Sequence, residues 1–284
     1  MSERWYWLDW LAQRYDIEKQ VRLTKGEALR LGKARSVVDL RAVEGRVALR
    51  YWQAYASVIP ECFDFQGRMT TSHQNNASDP VNLALNYAYG VLEGECRAAI
   101  NAVGLEPSVG FLHETSGYQT KQSLVYDLQE AFRWIADVVV MEAFESGVLD
   151  LPDFYFTGDD YRYRFDPEAK QRLLDLLRER FNSGVRYKRR ALKWDTVIDQ
   201  KAVEFGRFLV GRSRALDFSE PSPDLAKTDG IELRSKILSL SQSDADRLGI
   251  GKSTFYHLRR KSKCDRSFKT YRQVRKRLEV IHRA

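Results

Sequence analysis

A chain of 284 residues with 43% hydrophobic and 30% charged side chains has room for one large domain, or a main domain with a small one, and the balance of an ordinary globular protein. No apolar run is long enough to cross a bilayer; the longest candidate, around Trp134 to Phe144, is interrupted by Asp137 and Glu142. The formal charge of +7 is unevenly placed: residues 252–284 hold 12 Lys/Arg against 2 Asp/Glu, so the rest is slightly acidic, and a second basic stretch, VRYKRRALK, occupies 185–193. Such patches attract phosphate through Coulomb forces and counterion release, although a solvated charged face has the same composition. Cys62, Cys96 and Cys264 are odd in number and far apart, which points to neither a disulfide framework nor a zinc cluster. The opening MSERWYWLDW has no basic region ahead of an apolar core, so no signal peptide is expected and a cytoplasmic setting is the simplest reading.

In chain order, residues 1–36 read as an N-terminal helical segment. From Val37 the apolar positions 43, 47, 51, 54 and 58 recur at helical spacing. Asp79-Pro80 opens the next helix, Asp as cap and Pro in the first turn, and Gly104 closes it with Pro107 just beyond. After the loop SVGFLHETSGYQTKQ a long helix starts near Ser123. Residues 168–182 and 195–211 read as two more helices. Pro, Ser, Asp and Gly gather at 219–230, a linker by composition. Strand alternation is scarce, so the fold class expected is all-α or nearly so: a helical domain over 37–218 and a small C-terminal module over 231–284.

That module, KILSLSQSDADRLGIGKSTFYHLRRKSK, reads as a helix-turn-helix, with Ser241 to Leu248 as first helix, a Gly249-Ile250-Gly251 turn and Ser253 to Arg260 as second. In such folds the second helix enters the major groove with its first residues toward the bases. Ser253, Thr254 and His257 would face base edges, and Lys252, Arg259, Arg260 and Lys261 would meet phosphates. A helical hairpin packed on the main domain is the plainer reading, but the pattern S-x-x-D-A-x-x-L-G-I-G-K-S-T-x-Y favours DNA binding. Tyr271 to His282 forms a further, very basic helix.

Ionisable side chains also stand where helices should be apolar. Glu44 lies beside Val43, Val47 and Tyr51. His113 follows Gly-Phe-Leu in the loop. Asp127 and Glu130, three apart, share a face with Leu124, Leu128, Ala131 and Trp134. Two carboxylates held near a core repel each other and lose hydration, and a bound divalent cation relieves both penalties. Carboxylate oxygens with one imidazole suit Mn²⁺ or Mg²⁺. An acidic pair at this spacing is more often surface, and a lone loop histidine more often structural.

The same residues carry a resemblance. VEGRVALRYW around Glu44 resembles the Glu-Gly helix motif of the large CRISPR-associated integrase subunit, the Cas-one family. The run from FQGRMTTSHQNN through ASDPVNLALNYAYG to GLEPSVGFLHE is similar to its central signature, and SLVYDLQEAFRWIAD to its Asp-Leu-x-Glu-x-Phe-Arg helix. VLDLPDFYF and VRYKRRALKWDTVIDQKAVEFGRFLVG are similar to the family's later helices, so the match spans about 37–218. The resemblance implies metal-dependent DNA cleavage and its reverse, strand transfer. It implies Glu44, His113 and Glu130 as metal ligands and Asp127 as an acidic residue lining the same site, these four forming the catalytic set. It makes Arg68 and the basic stretch, with Lys188, Arg189 and Arg190, candidates to hold the DNA backbone. Its implied partners are double-stranded DNA, a second copy of the chain and a small adaptation subunit. The family usually begins with a β-rich dimerisation domain, whereas here only an aromatic segment (Trp5, Tyr6, Trp7, Trp10, Leu11) precedes Glu44. Two alternatives follow: a casposon-type transposon integrase acting outside CRISPR arrays, and a catalytically silent protein that binds DNA through its tail.

Overall fold

The computed structural model describes residues 17–33, 35–68, 77, 79–110, 122–157 and 162–213. The expected aromatic segment, the linker and the helix-turn-helix with Lys252, Ser253, Thr254, His257 and Arg260 lie outside them. Among the described residues are six helices of two turns or more: α1 Glu18–Ala28, α2 Val37–Ala56, α3 Pro80–Val103, α4 Ser123–Glu145, α5 Pro167–Asn182 and α6 Trp194–Leu209. Two antiparallel hairpins accompany them, β1 Phe154–Thr157 with β2 Arg162–Phe165, and β3 Gly184–Tyr187 with β4 Arg190–Lys193. No helix among the described residues is long and apolar enough to cross a membrane.

The helix boundaries follow local chemistry. Ser36 caps α2, its side chain accepting from the Asp39 backbone N–H at 3.1 Å, and Asp39 accepts in turn from the Arg35 N–H. Those backbone bonds hold the Asp39 carboxyl below its usual range. Asp79 caps α3 by accepting from the Asn82 N–H at 2.7 Å. Gly104, with φ of +75°, ends it in the left-handed region that glycine enters without strain.

The described residues divide into two compact units. The first takes in residues up to 84 and 141–172. Its α2 presents Trp52 and Tyr55 edge-on to Phe65, with Tyr51 edge-on to Trp52. A second aromatic chain runs Phe63–Phe144–Phe154–Phe165, with centroids 4.5, 5.9 and 5.1 Å apart, and seats the β1–β2 hairpin. Arg172 fastens the same region, its Nη2 on Asp153 at 2.6 Å and its Nε on the Val148 carbonyl at 3.1 Å.

The second unit takes in 85–140 and 173–213 of the described residues. Its core is Leu92, Cys96 and Ile100 of α3, Phe132, Ile135 and Val139 of α4, Leu173 and Leu177 of α5, and Val197, Ile198 and Phe205 of α6, all nearly inaccessible. Trp134 meets Trp194 edge-on at 5.1 Å. Gly206 lets α6 approach α3 closely: a Cβ there would come within 2.9 Å of Val103 Cγ1.

The all-helical expectation holds for the bulk of the fold, and two of its details change. VLDLPDFYF and VRYKRRALK resemble parts of the family's helices; the first is a 3-10 turn at Leu151–Asp153 followed by strand from Phe154, and the second is largely strand. Each strand has four residues, too few for alternation to stand out. In β3 the alternation is nonetheless real, Val185 and Tyr187 being buried while Gly184 and Arg186 are exposed. Cys96 is a buried free thiol.

An acidic trio sits on the second unit. Burial raises the Asp199 carboxyl pKa, and Asp195, one turn before it on α6, raises it further. Burial also raises that of Glu95, as do Asp195 and Asp199, while Arg178 pulls it down. A carboxyl whose folded pKa is raised binds its proton more tightly when folded, so its contribution to stability grows as pH falls and is lost as pH rises. Asp199→Asn should therefore stabilise the protein at pH 7 by roughly 0.2–0.5 kcal/mol, and thermal unfolding should show this gain vanish below the carboxylate range. Trp194→Ala should cost about 3–5 kcal/mol in chemical denaturation through the cavity left beside Trp134.

Candidate active site

α4 is where the predicted site residues meet the core. Between Leu124 and Phe144 nearly every side chain is shielded from solvent, so its ionisable groups face little water. Asp127 is only 5% exposed, whereas Glu130, one turn on, keeps a third of its side chain accessible. The two are on the same face, as their spacing requires.

The chain that approaches this face is the 104–110 turn. The Leu124 N–H donates to the Pro107 carbonyl at 2.9 Å, closing the turn onto the first residues of α4. Arg97 of α3 reaches both Glu93 and Gln122, the residue before α4. Gly110 then lies directly on the helix. A Cβ there would stand 2.7 Å from Ser123 Cβ, 2.8 Å from the Ser123 carbonyl carbon and 2.8 Å from Asp127 Oδ2. Real Cβ contacts are not that short, so only glycine fits without displacing the helix or the carboxylate. His113 follows three residues later and lies outside the described residues.

Glu130 is held by Arg133 on the next turn of α4. The guanidinium sits over the Tyr89 ring, 4.6 Å from its centroid, and the Tyr89 hydroxyl donates to the fully buried Asp137. Burial opposes the charge on Arg133, but Tyr89, Glu130 and Asp137 outweigh it and hold the group protonated above its ordinary pKa. Gln129 adds a tie at the same residue, its Nε2 donating to the Tyr89 carbonyl at 2.7 Å. Arg133 and Tyr89 were not among the residues picked out from the sequence. The available signal was spacing: Glu130, Arg133 and Asp137 recur at i, i+3 and i+7 on one helix face.

Glu44 is exposed on α2 of the first unit, beside the buried Val43 and Val47. Among the described residues no three His, Cys, Asp or Glu side chains gather closely enough to hold a metal. The donor set on α4, two carboxylates on one face, is of the oxygen type that Mn²⁺ and Mg²⁺ take, and Gly110 packs closely against Asp127.

The predicted DNA-contact residues divide by surroundings. Arg68 donates from Nη1 to Asn82 Oδ1 at 2.9 Å, and Asn82 also donates to Asp79 and to the Gly67 carbonyl, so Arg68 braces the start of α3. Lys188 and Arg189 form the tip of the β3–β4 hairpin with φ of +45° and +68°. Lys188 pairs with Glu204 of α6, which also accepts from the Tyr187 hydroxyl at 3.2 Å, and this bond holds the lysine above its ordinary pKa. Arg189 and Arg190 are exposed.

Gly110→Ala should lower stability by about 1–3 kcal/mol in urea denaturation, while Gly184→Ala, whose Cβ meets nothing within 4 Å, should be near neutral. Equal midpoints for the two variants would mean that the Gly110 turn does not rest on α4.

Residues 5–179 match the family described as CRISPR associated protein Cas1. A "CRISPR-associated endonuclease Cas1 1" from Archaeoglobus fulgidus is 34% identical over 179 residues, 62% of this chain, and the aligned part spans half of that protein's length. The solved structure of a casposase bound to integration product aligns with 82% of this chain and 64% of its own, at 35% identity and a TM-score of 0.68. A Cas6-RT-Cas1–Cas2 complex shares the fold at 19% identity and a TM-score of 0.63, over 74% of this chain and 23% of its own. With the family matched across more than half its length, including α2, the Gly110 turn and α4, this chain belongs to the Cas1 family.

Proposed function

We propose that the chain is a metal-dependent DNA endonuclease and integrase, cutting DNA and joining DNA ends to a target as in CRISPR spacer acquisition. The observation that carries this reading is the carboxylate pair of Asp127 and Glu130 on an otherwise packed helix, with Gly110, three residues before His113 in the sequence, packed against Asp127. Two acids close together on a packed helix suit a cation-binding role.

Glu44, His113 and Glu130 would hold the ion, with Asp127 lining the same site. A bound Mn²⁺ or Mg²⁺ supplies Lewis-acid polarisation of a phosphodiester oxygen. The side chains do the rest. Glu130 presents a carboxylate whose direction is set by Arg133. Asp127 adds negative charge at a fixed point against Gly110. His113 serves as ligand or as general base for the attacking water or DNA 3′-hydroxyl. Arg189, Arg190 and the basic residues beyond 252 neutralise backbone phosphates, which positions DNA without reading its sequence. Arg68 and Lys188, each already engaged within the protein, contribute to DNA binding only in part. Double-stranded DNA, a second copy of the chain and a small Cas2-type subunit are the partners proposed.

A second reading keeps the chemistry and changes the setting. Similarity to a casposase at 35% identity favours an integrase acting outside CRISPR arrays. Joining assays on a CRISPR repeat and on a target lacking repeats separate the two, by which acceptor is preferred.

In a Mn²⁺-dependent plasmid nicking and strand-transfer assay, Glu130→Ala and Glu44→Ala should each lose about 100-fold or more in rate. Full activity in both variants would leave only a DNA-binding protein. Deleting residues 230–284 should weaken DNA binding and flatten its salt dependence, while the rate on saturating DNA changes little. Equal affinity of the shortened and full chains would remove the tail from the DNA contact.

A further inference from the structure

Arg133 is a charged side chain on a packed helix, and the reaction as proposed does not require it to touch DNA. Its guanidinium is held on several sides within the second unit. Nη1 donates to Glu130 Oε1. The Tyr89 ring lies against the group at 4.6 Å from ring centroid to Cζ. Tyr89 is itself only 7% exposed, fixed by its hydroxyl on Asp137 and by the bond from Gln129 to its carbonyl. Arg133 Nε is buried and makes no hydrogen bond. An arginine kept for stability alone would satisfy that donor, because leaving a buried N–H unpaired is costly. The arrangement puts Nη1 on Glu130 and leaves Nε without a partner.

We propose that Arg133, braced by Tyr89 and Asp137, is a positioning residue that fixes the orientation of the Glu130 carboxylate for cation binding. The inference rests on Glu130 being a metal ligand, as proposed above. A glutamate carries three side-chain torsions, and a third of this one is solvent-accessible, so without a brace it samples several rotamers. Arginine suits the task better than lysine because its planar fork fixes a direction as well as a charge. Asp137 is too deeply buried to serve a ligand, and its part is to anchor the Tyr89 ring beneath the guanidinium.

The positive charge of Arg133 itself disfavours a nearby cation. Charge and positioning therefore predict opposite outcomes, and the test exploits this. Mn²⁺ binding to the full chain is followed by electron paramagnetic resonance for wild type, Arg133→Ala, Arg133→Lys and Glu130→Gln, with thermal unfolding in metal-free buffer as a check on folding. Positioning predicts that Arg133→Ala binds Mn²⁺ about 10-fold more weakly, that Arg133→Lys recovers only part of the loss, and that both cut kcat for nicking more than KM for DNA. Unchanged or tighter Mn²⁺ binding by Arg133→Ala would overturn the proposal. If that variant does not fold, Arg133→Lys decides alone, and wild-type affinity there overturns it. Wild-type Mn²⁺ affinity in Glu130→Gln would instead sink the underlying assignment of Glu130, whatever the Arg133 variants show.

Discussion

The central constraint in this protein is that α4 is packed almost all round and still carries Asp127, Glu130, Arg133 and Asp137. A helix in that position is expected to be apolar, because a charge removed from water is costly unless it is paired. Each group therefore comes with an accommodation drawn from elsewhere in the chain. Asp137 accepts from Tyr89, 48 residues earlier. Glu130 is held by Arg133, and Arg133 rests on the same tyrosine ring. Asp127 lies where the backbone of Gly110 comes close enough to exclude any larger residue. Gly110 and Tyr89 are the two positions outside α4 that its charged face engages.

The skeleton of the fold was legible in the sequence because its boundaries are chemical. Ser36, Asp79-Pro80 and Gly104 are cap and stop residues, and the helices begin and end where those residues dictate. Asp127 and Glu130 were legible because carboxylates at helical spacing interrupt an apolar face. Glu44 was legible the same way, beside a stripe that is indeed buried. Arg133 also lay in plain view on the same face. Its role was hidden because it depends on Tyr89, and nothing in the sequence pairs position 89 with 133 and 137. The bond from Arg68 to Asn82 was hidden for the same reason.

The hairpins were the least legible part. Four-residue strands give two alternations at most, and β3–β4 is joined by Lys188-Arg189, with none of the Asn-Gly chemistry that marks a two-residue turn. Basic composition dominated the reading of 185–193, and composition says nothing about backbone geometry. The structure separates charges that a sequence counts alike: Lys188 is partnered by Glu204, and Arg189 and Arg190 are exposed.

That hairpin tip has an evolutionary implication. Two consecutive side-chain-bearing residues in the left-handed region are each strained by about 1–2 kcal/mol relative to glycine, and β-hairpins commonly avoid this with asparagine and glycine. Here the chain keeps two long cations at the bend. Drift toward the relaxed turn would be rewarded by a sturdier hairpin, so retention of lysine and arginine at positions 188 and 189 in descendants of this gene would mark a pressure on charge that outweighs the local gain in foldability.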